Sequence, residues 1–283
     1  MVRAAVDRAL ARLLADLPPG PLGAAMHAAV FPGGKRLRPL LLVRAGQAFG
    51  GELERLCPVG AALELVHGAS LVLDDLPCMD DADLRRGVPA LHRRFSEATA
   101  ILAAFGLLAR AVAAFPSLLR EAGVAPAYAQ MWTSRLATLV ETMGQGQEQD
   151  LALAGREATV ADLELLHASK TGAFFAFAAE LGAFAAGADP AALALVASFA
   201  RNLGLAYQVL DDIGDATASP AWGGKPAHQD QRHGRPNFVA VLGLEGAREL
   251  AAELLKASEA CLAPLGARAA PLLEVLAHVR SLL

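Results

Sequence analysis

Residues 70–87 read SLVLDDLPCMDDADLRRG, an apolar run that stops on paired carboxylates, with further acids and two arginines following within a dozen residues. A helix ending this way carries acids in its last turn, where the helix dipole favours cations. The chain repeats the arrangement in GLAYQVLDDIGD, residues 204–215. Asp211 and Asp215 are four apart, so they share one helix face and repel each other by several tenths of a kcal/mol. Asp74 and Asp80 are six apart, on different faces of a straight helix, but Pro77 predicts a kink or bulge that returns Asp80 toward Asp74. One acidic helix end reads as solvated surface. Two of them, each closing a long apolar helix, predict opposite walls of one pocket. There carboxylate oxygens would hold magnesium, which in turn holds phosphate.

Outward from these segments, strand signals are scarce and Ala/Leu-rich stretches carry apolar residues at three- and four-residue spacing. Helices are expected at 2–16, 36–49, 56–76, 91–119, 124–147, 158–186, 189–214, 244–263 and 267–282. The breaks fall at LPPGPLG, FPGG, GG, GVP, FP and GADP. Residues 216–237, ATASPAWGGKPAHQDQRHGRPN, are expected to form a long functional loop. No composition shift divides the chain. The expected fold is all-α, a single-domain helical bundle over residues 1–283 around a central active-site cavity.

The 283 residues suffice for a sizeable core, and a net charge of −4 with no basic tract argues against a nucleic-acid partner. Three scattered cysteines, Cys57, Cys78 and Cys261, form no disulfide framework and fit a reducing compartment. The N-terminal twenty residues read as an amphipathic helix rather than a signal peptide, because Arg3, Asp7, Arg8, Arg12 and Asp16 interrupt them. Residues 171–188 come nearest to a membrane span, yet their Ala/Gly content and Glu180 favour a buried core helix. The expectation is a cytoplasmic protein without a membrane span.

Basic residues are arranged around the acidic ends. GGKRLRP, residues 33–39, sets Lys35, Arg36 and Arg38 at a helix start, where backbone N–H groups also favour an anion. Arg85 and Arg86 follow the first acidic segment, SKTG supplies Lys170 and Thr171, and the long loop supplies Lys225 and Arg235. Any one of these is ordinary surface charge; the ordered set is not.

In this order the motifs resemble the trans-isoprenyl diphosphate synthases, the head-to-tail polyprenyl synthetases. The resemblance runs from about residue 24 to 262 through GGKRLRP, DDLPCMDDADLRRG, EATAIL, GQEQDL, KTG, GLAYQVLDDIGD, GGKP and a downstream GR. The DDxxxxD form is similar to the short-chain branch of bacteria and plants, which includes farnesyl and geranylgeranyl diphosphate synthases. It implies magnesium-dependent condensation of isopentenyl diphosphate with an allylic diphosphate, in a homodimer. Residue by residue, it implies three magnesium ions on Asp74, Asp80, Asp211 and Asp215. Arg85, Lys170 and Lys225 would be cations around the allylic diphosphate, and Arg235 a further substrate-binding cation. Lys35, Arg38, His67 and Arg86 would hold the diphosphate of isopentenyl diphosphate, with Gly34 letting the backbone approach the anion. Thr171 and Gln208 would turn oxygen dipoles toward the carbocation.

The chain departs from the family's usual pattern at Leu73, commonly His; at Val88, commonly Lys; at Phe105 and Gly106, commonly Asp and Ala; and at Arg235, commonly Lys. Leu73, Val88 and Phe105 are expected near the pocket. A class I terpene cyclase or prenyl-diphosphate lyase would need no second diphosphate site, which GGKRLRP and Arg86 supply. A non-catalytic partner subunit would be expected to lose the Asp-rich motifs. Product length turns on the helix before Asp74, where Ser70 lies one turn down and Ala69 about 7.5 Å below. In farnesyl synthases the position of Ala69 is often aromatic, a floor under the growing tail. Its opening here favours geranylgeranyl over farnesyl diphosphate, with Phe105 as an alternative floor from another helix.

Overall fold

The computed structural model describes residues 1–31, 33–217 and 234–283, and the predicted Lys225 lies outside them. The fold is all-α. Its helices are α1 (Val2–Leu13), α2 (Pro21–Val30), α3 (Leu37–Gln47), α4 (Leu53–Asp74), α5 (Leu91–Arg94), α6 (Glu97–Glu121), α7 (Pro126–Leu153), α8 (Val160–His167), α9 (Ala173–Ala185), α10 (Pro190–Thr217), α11 (Phe238–Leu262) and α12 (Ala270–Arg280). A π-helical turn, Ala168–Gly172, joins α8 to α9, and a 3₁₀ turn, Ala263–Ala269, joins α11 to α12. Between α4 and α5 lies a hairpin of two-residue strands, β1 (Leu84–Arg85) and β2 (Val88–Pro89), paired antiparallel. Its tip is Arg86–Gly87, both at positive φ (55° and 76°), which suits a tight two-residue turn.

Two apolar cores share the bundle. One joins α1, α2, α4, α6 and α7; the other joins α10, α11 and α12. The helix α9, AFFAFAAELGAFA, lies between them, giving Phe174, Phe177 and Leu181 to the first core and Phe175, Ala179 and Ala183 to the second. A helix that is apolar all round is a helix covered on all sides. This accounts for residues 171–188 without a bilayer. Among the described residues, four other stretches, led by α4 and α6, are long and apolar enough to cross a membrane by length and composition, so residues 171–188 are not the nearest to a span as expected. In α4, 72% of the most apolar window is buried within the protein. In α6 the apolar surplus faces outward as Ile101, Leu102, Phe105 and Val112.

Several boundaries differ from expectation, each for a local reason. The helix α2 was not anticipated, because Pro and Gly clusters at both ends of ten residues masked it; Pro21 sits at its first position, where a missing N–H costs nothing. The expected helix at 91–119 is divided at Ser96, whose side chain accepts the Thr99 N–H and starts α6 afresh. At 158–186 the π-helical turn interrupts the run. Asn237 caps α11 through the Ala240 N–H at 2.8 Å, so this helix begins six residues early and then kinks at Gly243 (φ 72°).

Arg36 ties the helices at one end of the cavity. It enters α3 with left-handed backbone (φ 52°), and its buried guanidinium donates to Asp7 Oδ1 of α1 at 3.0 Å, Glu64 Oε1 of α4 at 2.8 Å and the Val30 carbonyl of α2 at 3.0 Å. Removing one partner of such a group leaves a buried charge uncompensated, at about 3–5 kcal/mol. Arg36→Met is therefore expected to lower unfolding stability by that amount in urea titrations. A loss below about 1 kcal/mol would show that Glu64 finds another cation.

Candidate active site

The C-terminal end of α4 and the C-terminal part of α10 line one cavity of about 690 Å³. Asp74, Asp80 and Asp211 all face it, and Asp215 does not. The six-residue spacing is closed by a turn, not by a kinked helix: α4 ends at Asp74, and the Asp80 N–H returns to the Asp74 carbonyl at 2.8 Å. The neighbouring acids do other work. Asp75 is buried and takes Arg85 Nε at 2.9 and 3.1 Å on its two oxygens. Asp212 accepts Gln208 Nε2 at 3.1 Å and the Phe238 N–H at 2.9 Å, fastening the start of α11 to α10.

One part of the cavity gathers Lys35, Arg38, His67 and Arg86. The Arg38 guanidinium lies over the Phe174 and Phe175 rings, 4.9 and 5.5 Å from their centroids, and burial lowers its pKa. It donates to His67 Nε2 at 3.1 Å. An arginine has no acceptor, so the proton of neutral His67 must sit on Nδ1, a buried donor with no protein partner. Burial and then the charges of Arg38, Arg86, Arg85 and Arg36 hold the His67 pKa well below the ordinary histidine value. At Gly34 a Cβ would stand 3.0 Å from the Arg86 guanidinium. The glycine thus makes room for a cation rather than only for an approaching anion. Glu64, missed in the sequence, lies nearby with Oε1 4.0 Å from Arg86 Nη2.

Across the cavity, Lys170 and Thr171 ride on the π-helical turn, a form frequent at functional sites. This turn presses on α7, where a Cβ at Gly146 would fall 2.6 Å from the Lys170 backbone nitrogen. Thr171 Oγ1 donates to Gln208 Oε1 at 3.3 Å, so the structure brings these two side chains together. Lys170 Nζ donates to Asp150 Oδ2 at 2.5 Å, and Arg235 reaches the same oxygen at 3.2 Å and Asp80 Oδ1 at 2.6 Å. The quoted GQEQD carried Asp150, and the acid inside an otherwise amide-rich helix was the available signal.

The expectations about depth need correction. Ser70 and Leu73 line the cavity, with Leu71, Leu108, Val140 and Met143; Ala69 is fully buried and lies outside the lining. Phe105 is 66% exposed, on the outer face of α6, and forms no floor in this cavity. Val88 sits in the hairpin and away from the lining. Gly106 faces α2, where a Cβ would come within 2.9 Å of Met26 Sδ.

No three His, Cys, Asp or Glu side chains among the described residues stand close enough to hold an ion alone. The acids nonetheless fit magnesium, which usually takes one or two carboxylates together with water and phosphate oxygens. Burial, with smaller contributions from the Asp80 and Asp75 charges, pushes Asp74 up to about 6 against the pull of Lys170 and Arg85.

The Polyprenyl synthetase family profile matches residues 20–263. The chain belongs to the polyprenyl synthetase family. It is 38% identical to the farnesyl diphosphate synthase of Geobacillus stearothermophilus over 258 residues, 90% of this chain and 86% of that one. With the geranylgeranyl diphosphate synthase of Cereibacter sphaeroides it shares 39% over 262 residues, 90% of this chain and 85% of that one. The fold matches the crystal structure of a geranyltransferase from Helicobacter pylori, complexed with magnesium and isoprenyl diphosphate. The TM-score is 0.85 at 28% identity, covering 99% of this chain and 95% of that one. The protein is therefore a prenyltransferase of the short-chain trans-prenyl synthase family.

Two histidines of the cavity wall set an acid limit on stability. Burial, then the Lys170 charge, lowers His167 to about 4 against the opposing pull of Asp150 and Asp211, and desolvation, then its neighbouring arginines, holds His67 well below the ordinary value. Both are depressed below the unfolded value of about 6.5, so each stabilises the fold fully above that pH and progressively less as pH falls below it. His167→Gln is expected to flatten the decline in urea stability between about pH 7 and pH 5, where one histidine contributes on the order of 1–2 kcal/mol. An unchanged slope would exclude His167 as a source of the decline.

Proposed function

We propose that the protein condenses isopentenyl diphosphate with an allylic diphosphate, head to tail, to give a short-chain all-trans prenyl diphosphate, with geranylgeranyl favoured over farnesyl. What supports this is the number of cations lining one cavity, more than a single diphosphate needs, which we assign to two groups. Lys35, Arg38, His67 and Arg86 suit the diphosphate of isopentenyl diphosphate, and Arg85, Lys170 and Arg235 suit that of the allylic substrate. A cyclase or lyase would need only the second group. The His67 Nδ1 donor, buried and unpartnered, suits a phosphate oxygen. Asp74, Asp80 and Asp211 would hold magnesium, three ions in our reading; Asp215 would need to turn inward to join them. The bound metal would supply charge neutralisation of the departing diphosphate.

This chain's own residues account for the remaining steps. Lys170, Arg235 and Arg85 hold the allylic diphosphate and offset charge as its C–O bond ionises, an effect worth most where water is excluded. Thr171 and Gln208 turn oxygen dipoles toward the allylic cation, and Leu71, Leu73, Leu108 and Val140 present hydrocarbon to it. The isopentenyl double bond attacks, a proton leaves, and the product is five carbons longer. A homodimer would cover the apolar stripe of α6.

Assay with isopentenyl diphosphate and each allylic primer tests the reading. Asp74→Ala and Asp211→Ala should each retain less than a tenth of wild-type turnover, about 1.4 kcal/mol of barrier or more, with helicity unchanged by circular dichroism. Arg38→Ala should raise the KM for isopentenyl diphosphate well above any rise for the allylic substrate. Equal rises would collapse the two anion sites into one.

Product length should follow the lining rather than the outer face of α6. Ser70→Phe is expected to shorten the product and Leu108→Ala to lengthen it, while Phe105→Ala in a protomer's own cavity changes nothing directly. Chromatography of dephosphorylated products decides. A fifteen-carbon wild-type product that neither lining substitution alters would remove both residues from length control.

A further inference from the structure

A carboxylate facing an anion site repels the anion unless it is spent on something else, and Asp150 is such a carboxylate. It is 7% exposed and lines the cavity from α7, beside the cations read above as the allylic diphosphate site. We propose that Asp150 is a positioning residue: one oxygen, Oδ2, holds both Lys170 and Arg235 in place to receive the allylic diphosphate. The proposal rests on the prenyl-transfer reading and names the residue that organises half of its site.

The contacts carry the argument. Lys170 Nζ lies 2.5 Å and Arg235 Nη1 3.2 Å from Asp150 Oδ2. The two cationic heads are therefore less than about 6 Å apart, a spacing at which they repel unless an anion lies between them. Lysine and arginine also carry much rotamer freedom, which a diphosphate would otherwise have to remove on binding. Asp150 removes it beforehand. Its position on α7 strengthens the effect, because Gly146 is one turn earlier on the same face and packs against the Lys170 backbone. Lys170 is thus fixed at its backbone by Gly146 and at its tip by Asp150. Arg235 is held from a different direction: its other nitrogen meets Asp80 Oδ1 at 2.6 Å and the Met79 carbonyl at 3.3 Å. Asp150 consequently joins three separate pieces of chain: α7, the π-helical turn, and the segment leading into α11. Burial alone would raise its pKa, but Lys170 and Arg235 outweigh burial and keep it ionised.

Steady-state kinetics of Asp150→Asn with geranyl and isopentenyl diphosphates give the first readout, and calorimetric titration of geranyl diphosphate with magnesium gives a second that needs no turnover. The expected result is at least a tenfold weaker interaction with the allylic diphosphate, with the isopentenyl KM within twofold of wild type. In a Lys170→Ala background the same substitution should add less than its full effect, since Asp150 acts partly through Lys170. Manganese binding to the substrate-free enzyme, followed by electron paramagnetic resonance, should stay within twofold. An unchanged allylic affinity, equal losses for both substrates, or full multiplicative effects in the double variant would overturn the proposal. Lost manganese binding would overturn it too, by making Asp150 a metal ligand. Should Asp150→Asn not fold, Asp150→Glu moves the charge by one methylene and must show the same split at about threefold or more; equal affinities overturn the proposal. A wild-type enzyme that binds geranyl diphosphate but never condenses it would refute the reaction, while the calorimetric comparison still judges Asp150.

Discussion

Carboxylates cannot be lowered into the wall of an apolar bundle unless cations meet them there, because desolvation otherwise exceeds what the charges return. Around this cavity three buried acids have such a partner: Asp75 has Arg85, Asp150 has Lys170 and Arg235, and Glu64 has Arg36, while the buried Asp212 accepts Gln208 and the Phe238 N–H. Those pairs hold the surrounding elements in register. Arg36 joins α1, α2, α3 and α4; Arg85 fastens the hairpin to the end of α4; Arg235 fastens the approach to α11 against the acidic turn. Asp74 has no hydrogen-bonded cation of its own among these pairs, and burial raises its pKa to about 6.

The apolar half of the molecule serves the same site by a different principle. A cation intermediate demands walls without nucleophiles, and helices rich in Ala and Leu provide them while their small residues let backbones come close. Close approach is specific, not general. Gly146 admits the Lys170 backbone, and Gly106 admits Met26 of α2 against α6. Phe105, its neighbour, is turned to the outside with Ile101, Leu102 and Val112. Bulk there enlarges an apolar face instead of closing the cavity.

Much of the architecture was legible in the chain, and the reason is local. Ala and Leu at helical spacing define long helices, and the two DD endings with their flanking cations mark the reactive ends of α4 and α10. The boundaries that were misplaced fell where a single side chain or a short Pro/Gly-flanked segment decides. Ser96 divides one expected helix, Asn237 starts another early, and α2 is hidden between breakers.

Sequence by itself determined the fold class, the family and the candidate groups for metal and diphosphate, because each depends on residue type and order along the chain. Tertiary structure alone decided which of those groups face one another. Six residues separate Asp74 from Asp80 in any conformation, but only the turn closed by the Asp80 N–H returns both to the cavity while leaving Asp75 buried on Arg85. Asp150, Lys170 and Arg235 are 20 and 85 residues apart in sequence, measured from Asp150, and share one oxygen. Phe105 and Leu108 lie on the same helix, one outside and one lining the cavity, because α6 presents different sides to solvent and to α4. Facing is a property of packing between elements, and no local pattern encodes it.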